Sequence, residues 1–124
     1  MLFSFTEKIS CIIIAGGNNT YSVEVLAGDL GTKQLPNLPF EIQDSSMVLH
    51  NGTILLCGGR NNEQNCLQFD HGTWKEHSSL NESRVFHSAV TTQTATFLFG
   101  GGYSRTTYEY LPKDSSTTWA YGED

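Results

Sequence analysis

Three times along the chain, a run of four mostly apolar residues ends on a pair of glycines. Ile12-Ile13-Ile14-Ala15 leads into Gly16-Gly17, Ile54-Leu55-Leu56-Cys57 into Gly58-Gly59, and Thr96-Phe97-Leu98-Phe99 into Gly100-Gly101. The first glycines stand at 16, 58 and 100, so both spacings are 42. A fixed period of this size is the mark of a repeat architecture. A short unbroken apolar run suits a strand buried on both faces, as in stacked sheets. The glycines that follow let the backbone turn through positive φ or approach a neighbouring segment closely.

The stretches between these runs also read as strands and turns. Residues 1–8 are expected to be an irregular lead-in, with the first strand at Ile9 to Ala15. Tyr21 to Leu26 alternates apolar and polar residues like a half-buried strand, and Thr32 to Leu35 suits a short outer one. Pro36 and Pro39 frame a connection, since proline cannot donate to a ladder. Ser46 to His50 then meets Asn51-Gly52, the strongest short signal for a type I′ hairpin turn. Thr53 to Cys57 returns, followed by Cys66 to Phe69, a turn at Asp70-His71-Gly72, and an edge strand at Thr73 to Lys75. The last copy runs through Val85 to Thr91, Ala95 to Phe99, Tyr108 to Leu111, and Trp119 near the end. Leu38 and Leu80, Ser46 and Ser88, and Val48 and Val90 keep the same spacing of 42. No window carries helical periodicity. The expected fold is all-β, with three units of about four short strands at about 9–41, 42–83 and 84–121.

Composition narrows the partners. The formal net charge is −6 and only 16 % of residues are charged. An acidic surface repels nucleic acid and anionic lipid, so neither is an expected partner. No apolar run approaches the length of a membrane span. The first residues carry no basic n-region of a signal peptide, so the chain leans toward the cytoplasm. Three cysteines, Cys11, Cys57 and Cys66, are too few and too odd in number for a disulfide framework. Cys57 and Cys66 end and begin successive strands and would face each other across a hairpin. Buried free thiols are the expectation, and a bond between these two is the alternative. Asn18, Asn51 and Asn81 head glycosylation sequons, which arise readily by chance in a chain rich in Asn, Ser and Thr.

The order Leu49-His50, Ile54 to Gly59, Cys66 to Asp70, Trp74, then Arg84 and His87 resembles the Kelch repeat of β-propellers. The Trp-Asp and Gly-His dipeptides of WD repeats are absent. The resemblance extends from about Ile9 to Trp119, and it implies a Kelch-type propeller with protein–protein recognition through its loops. The first unit departs from the pattern: Ile42, Ser45 and Thr32 stand where the later units carry Arg84, His87 and Trp74. About two and three-quarter blades are present, whereas closed propellers use about four to eight. The chain is therefore expected to be a fragment, or a protomer completed by further blades from missing sequence or another chain. An uncovered blade face forfeits on the order of 5–10 kcal/mol.

The resemblance sorts the candidate residues. Gly16, Gly17, Gly58, Gly59, Gly100, Gly101, Trp74 and Trp119 are expected to turn strands and pack blades, and Arg84 and His87 to hydrogen-bond carbonyls between blades. The polar loops after the glycine pairs emerge from one rim, where rigid scaffolds display binding residues. They contribute Asn18 and Asn19, then Arg60, Asn61 and Asn62, then Tyr103, Ser104 and Arg105 as partner-binding candidates. In Kelch domains of BTB–Kelch ubiquitin-ligase adaptors, an arginine directly after Gly-Gly can grip a partner's carboxylate. Arg60 matches that position, and its planar fork suits an acidic segment. Cys57, Cys66, His71 and His77 lack the ligand spacing of a zinc site, and Gly100-Gly101-Gly102 precedes no Gly-Lys-Ser/Thr. Copper radical oxidases also use Kelch-type propellers, but their Tyr, Cys and two-His pattern is missing here. No cofactor, metal or catalytic residue is expected. The second functional reading is an extracellular or enzyme-associated propeller that binds carbohydrate.

Overall fold

The computed structural model describes residues 2–6, 9–17, 20–26, 32–102, 108–114 and 117–122. Among the described residues, twelve strands form three antiparallel sheets of four, each a meander in chain order. The first blade holds β1 (Leu2–Thr6), β2 (Ile9–Ala15), β3 (Val23–Leu26) and β4 (Thr32–Leu35). The second holds β5 (Ser46–His50), β6 (Thr53–Cys57), β7 (Asn65–Asp70) and β8 (Thr73–Ser79). The third holds β9 (Ser88–Thr91), β10 (Ala95–Phe99), β11 (Tyr108–Pro112) and β12 (Ala120–Tyr121).

Three details differ from the sequence reading. Leu2–Thr6 is not an irregular lead-in but β1, pairing antiparallel with β2 through Leu2↔Ile12 and Phe3↔Cys11. The first blade thereby gains its fourth strand, because a chain already folded back on β2 satisfies its backbone groups best by continuing the ladder. β8 runs on to Ser79, well past Lys75, with a register irregularity opposite Cys66 and Leu67. Cys57 and Cys66 are not free thiols. They stand directly opposite each other on β6 and β7 and are joined by a disulfide.

The turns follow their residues. Asn51 and Gly52 take φ of 51° and 78°, and His71 and Gly72 take 48° and 84°, the paired positive values of a type I′ hairpin. Side chains alternate across each sheet and build two separate cores, one at each junction between blades. Ile13 and Val23 of the first blade meet Met47, Leu56 and Leu67 of the second, sealed by Leu38 and Ile42 of the connection. Val48, Leu55, Cys57 and Cys66 on the other face of the second blade meet Leu98 and Leu111 of the third, sealed by Leu80 and Trp119. Burying each such aliphatic side chain contributes about 1.5–3 kcal/mol. The blades are thus held by face-to-face stacking, and their turns are left to converge at the ends.

Candidate functional site

The connections between blades run past the glycine pairs, and a repeated set of backbone hydrogen bonds ties them there. Gly17 N–H donates to the Ile42 carbonyl at 2.9 Å, and 42 residues later Gly59 N–H donates to the Arg84 carbonyl at 2.8 Å. Arg60 N–H donates to the Gln43 carbonyl at 2.7 Å, and Gly102 N–H to the Val85 carbonyl at 2.8 Å, again in phase. The first glycine of a pair faces the entry of the next blade. A Cβ on Gly58, whose φ is 68°, would stand 2.5 Å from His87 Cε1 and 2.6 Å from the Arg84 carbonyl oxygen. Only a residue without a side chain fits there.

Arg84 and His87 lie at the same crossing. Arg84 is wholly buried; its Nε donates to Glu109 Oε2 at 2.7 Å and its Nη1 to the Gly100 carbonyl at 2.9 Å. Glu82 Oε2 stands 3.6 Å from its Nη2. Glu109, on β11 and also wholly buried, accepts the Asn81 amide at 2.8 Å with its other oxygen. Sequence reasoning anticipated a carbonyl for Arg84 and missed the carboxylate. The available signal was an acidic residue in the middle of Tyr108–Pro112, an otherwise apolar and aromatic strand. His87 Nε2 lies 2.7 Å from Ser46 Oγ in a hydrogen bond across the blades, while its Nδ1 is buried with no partner among the described residues. Burial lowers the His87 pKa and the Arg84 charge lowers it further, against a hydrogen bond to the Cys57 backbone that raises it. Burial likewise lowers His50 and His77, and at His50 the neighbouring His77 and Lys113 add to the effect while Asp114 opposes it. His50 Nδ1 is bonded to Thr96 Oγ1 of the third blade at 2.8 Å. The tryptophans reach back by different registers to acceptors that are in phase. Trp74 Nε1 donates to the Pro36 carbonyl at 3.1 Å and Trp119 Nε1 to Ser78 Oγ at 2.9 Å.

Outside this buried layer lies an exposed cluster. Arg60, 56 % exposed, places Nε 3.2 Å from Asp44 Oδ2. Its guanidinium carbon lies 5.4 Å from the centre of the Phe86 ring, within cation–π range. Phe86 is 62 % exposed and has φ of 56°. Asp44, 42 positions earlier, has φ of 61°. Asp tolerates that left-handed conformation through its short polar side chain; a bulky aromatic residue there is strained by about 1–3 kcal/mol. The two residues are linked by the Phe86 amide donating to the Asp44 carbonyl at 3.1 Å. Arg60 is therefore not an isolated cation. One carboxylate and one aromatic face already orient it, and its terminal nitrogens make no hydrogen bond among the described residues.

The remaining candidates divide. Asn61 is exposed beside Arg60, with its side-chain amide donating to the Glu41 carbonyl at 3.0 Å. Asn62 is buried instead of displayed; its amide donates to the Gly58 and Asn65 carbonyls at 3.1 and 3.0 Å, closing the loop from within. Asn18, Asn19, Tyr103, Ser104 and Arg105 lie outside the described residues. Phe86 and Asp44 were missed by the sequence reading, although the shared period relates them. Of the sequon asparagines, Asn51 is exposed at its hairpin tip, and the Asn81 amide donates to the Trp119 carbonyl at 2.8 Å.

No protein-family model matches the chain, and no curated protein matches it. Among solved structures it resembles YjhT, a Kelch-repeat propeller protein, with a TM-score of 0.66 at 15 % sequence identity. The match covers 92 % of this chain and 43 % of that one, so the chain spans less than half the length of that structure. At this identity the likeness bears on fold alone. The chain has the fold of part of a Kelch-type β-propeller, built as three four-stranded antiparallel blades.

Proposed function

We propose that the chain is a protein–protein interaction module, not an enzyme, and that it grips an acidic segment of its partner at the Arg60–Phe86 cluster. The observation that carries this reading is the exposed Phe86 ring held at positive φ beneath an exposed arginine. Strain kept at a solvent-facing aromatic residue has no packing return, and Arg with an aromatic neighbour is a usual composition of binding hot spots. With Asp44 on Nε, the Nη1–Nη2 edge is left for a bidentate carboxylate, and Phe86 supplies apolar contact beside it. Substrate recognition within a ubiquitin-ligase adaptor is one setting for such a module, implied by the family resemblance of Arg60.

The test is capture of partners from lysate with the parent chain, Arg60→Ala and Phe86→Gly, followed by titration of each partner lost. A charge-assisted contact of about 1.5–3 kcal/mol predicts about 10- to 150-fold weaker binding for Arg60→Ala. Phe86→Gly relieves the backbone strain, so it is expected to hold or raise the melting temperature while losing the same partner. Partners that all survive both substitutions would remove this cluster from the recognition surface.

The second reading, an extracellular propeller that binds carbohydrate, is favoured by the Cys57–Cys66 disulfide, since such bonds persist in oxidising compartments. Its test is a glycan array probed with the oxidised chain, on which retention of a defined glycan would support it.

A further inference from the structure

The hairpin between β5 and β6 turns at the end of the second blade, and its tip is Asn51-Gly52-Thr53. Asn51 and Gly52 are exposed and hold the positive φ values of a type I′ turn. A Cβ on Gly52 would meet nothing within 4 Å, so the tip stands in open space among the described residues. The blade that carries it is covered on both faces. Met47, Leu56 and Leu67 pack toward the first blade, and Val48, Leu55, Cys57 and Cys66 toward the third. A further blade would stack on an outer face of the first or third blade and leave this turn in solvent.

Asn-Gly-Thr has the acceptor pattern for an N-linked glycan, which needs a surface position. Asn81-Glu82-Ser83 has the pattern without the room. Asn81 is half-buried between the second and third blades, its side chain donating to the Trp119 carbonyl and its backbone N–H to Glu109, both at 2.8 Å. A sugar on that nitrogen would push the end of the third blade away. Asn51 is held more lightly, with Nδ2 3.2 Å from the Asp114 carbonyl and 3.5 Å from His50 Nε2. A glycosylated amide keeps one N–H, enough for the Asp114 carbonyl, and gives up only the longer contact. The disulfide is a second, independent sign. Cys57 and Cys66 are joined and wholly buried, and such bonds form and persist in the oxidising lumen of the secretory route, where N-glycans are attached.

We propose that Asn51 is a glycan acceptor and that the folded protein carries its N-linked sugar there and not at Asn81. The donor is an oligosaccharide on a polyprenyl diphosphate. Asn51 Nδ2 forms the new bond to the anomeric carbon of the first sugar, whose bond to the diphosphate oxygen breaks. The diphosphate leaves with the electron pair, and Nδ2 gives up one proton. The proposal rests on the oxidising compartment of the second functional reading. It is independent of whether the chain itself binds carbohydrate and of what the Arg60–Phe86 cluster grips.

The test is made on the protein isolated from its source cells, with thiols alkylated at lysis and no reductant added. Peptide mass spectrometry is expected to find Cys57 and Cys66 joined and unalkylated, and a glycan on Asn51 that peptide N-glycosidase removes, leaving Asp. Expressed in the same cells, Asn51→Gln and Thr53→Ala are expected to lose that glycan and Thr53→Ser to keep it. Asn81→Gln is expected to leave the glycan content unchanged. Asn18 is replaced by Gln in all variants, so that a change in mass reports on Asn51 and Asn81 alone. A joined cysteine pair with a bare Asn51 would overturn the acceptor site and leave the oxidising compartment standing. Alkylated, free Cys57 and Cys66 would overturn the compartment and the acceptor site with it. A glycan on Asn81 of the folded protein would overturn the choice between the two sequons.

Discussion

The two junctions between blades solve one packing problem with opposite chemistry. At the first, Ile42 sits wholly buried against Leu67 in an apolar core. At the second, the positions 42 residues later are Arg84 and Glu109, a buried ion pair at 2.7 Å. The backbone is unchanged, since Ile42 and Arg84 present their carbonyls to Gly17 and Gly59 in the same way. The repeat therefore dictates where the chain runs and leaves the filling free, provided both partners change together. The charged junction holds more direction. Arg84 binds both Glu109 and the Gly100 carbonyl, so it fixes the end of β10 as well as the entry to the third blade.

The largest effect expected is from splitting that pair. Glu109→Leu removes the nearer of the two carboxylates on a buried guanidinium and should cost about 3–5 kcal/mol, read from urea unfolding. Adding Arg84→Ile transplants the chemistry of the first junction and should restore most of the loss, leaving within about 2 kcal/mol of the parent. A double variant no better than the single would mean that the two junctions are not equivalent. Gly58→Ala comes next. It meets both the left-handed φ and the close His87 and Arg84 contacts, and should cost about 3 kcal/mol. Gly100→Ala, at φ of 61° in open space, should cost only about 1–2 kcal/mol.

Reducing the disulfide probes the second junction from the other side. The bond closes a loop of sequence separation 9, and its loss should cost about 2–3 kcal/mol. Aligned Phe99 and Tyr108 stand where the third blade would carry it, so no such sensitivity is expected there. The smallest effect is that of pH. His50, His77 and His87 all have pKa values lowered below 6.5, chiefly by burial. The unfolded chain then binds more protons than the folded one below about pH 6.5, so stability is full above that pH and declines as pH falls toward the folded values. Unfolding midpoints at pH 7.5 and 5.5 check the sign. Parent and His50→Gln compared at both pH values would show how much of the decline belongs to the contact between blades.

The period of 42, the strands ending on glycine pairs and the Asn51-Gly52 turn were legible because each is local: a short run of residues carries its own conformational preference, and the repeat announces it again. In the structure Arg84 and His87 lie at the boundary between the second and third blades, and Arg60 lies on the surface. Local reading could not see that β1 exists, because Leu2–Thr6 has no preference strong enough to name a strand without β2 beside it. Nor could it join Arg84 to Glu109 or Arg60 to Phe86, or learn that Asn62 turns inward while its neighbour Asn61 turns out; for Cys57 and Cys66 it offered the pairing only as the alternative to free thiols. Those pairings depend on register and on the angle at which one sheet meets the next. Sequence spacing alone determined that the chain is a stack of like blades, since hydrophobic period and turn chemistry act within a few residues. Which side chains meet between blades was decided only in the tertiary structure, where close packing brings together positions that no local rule relates.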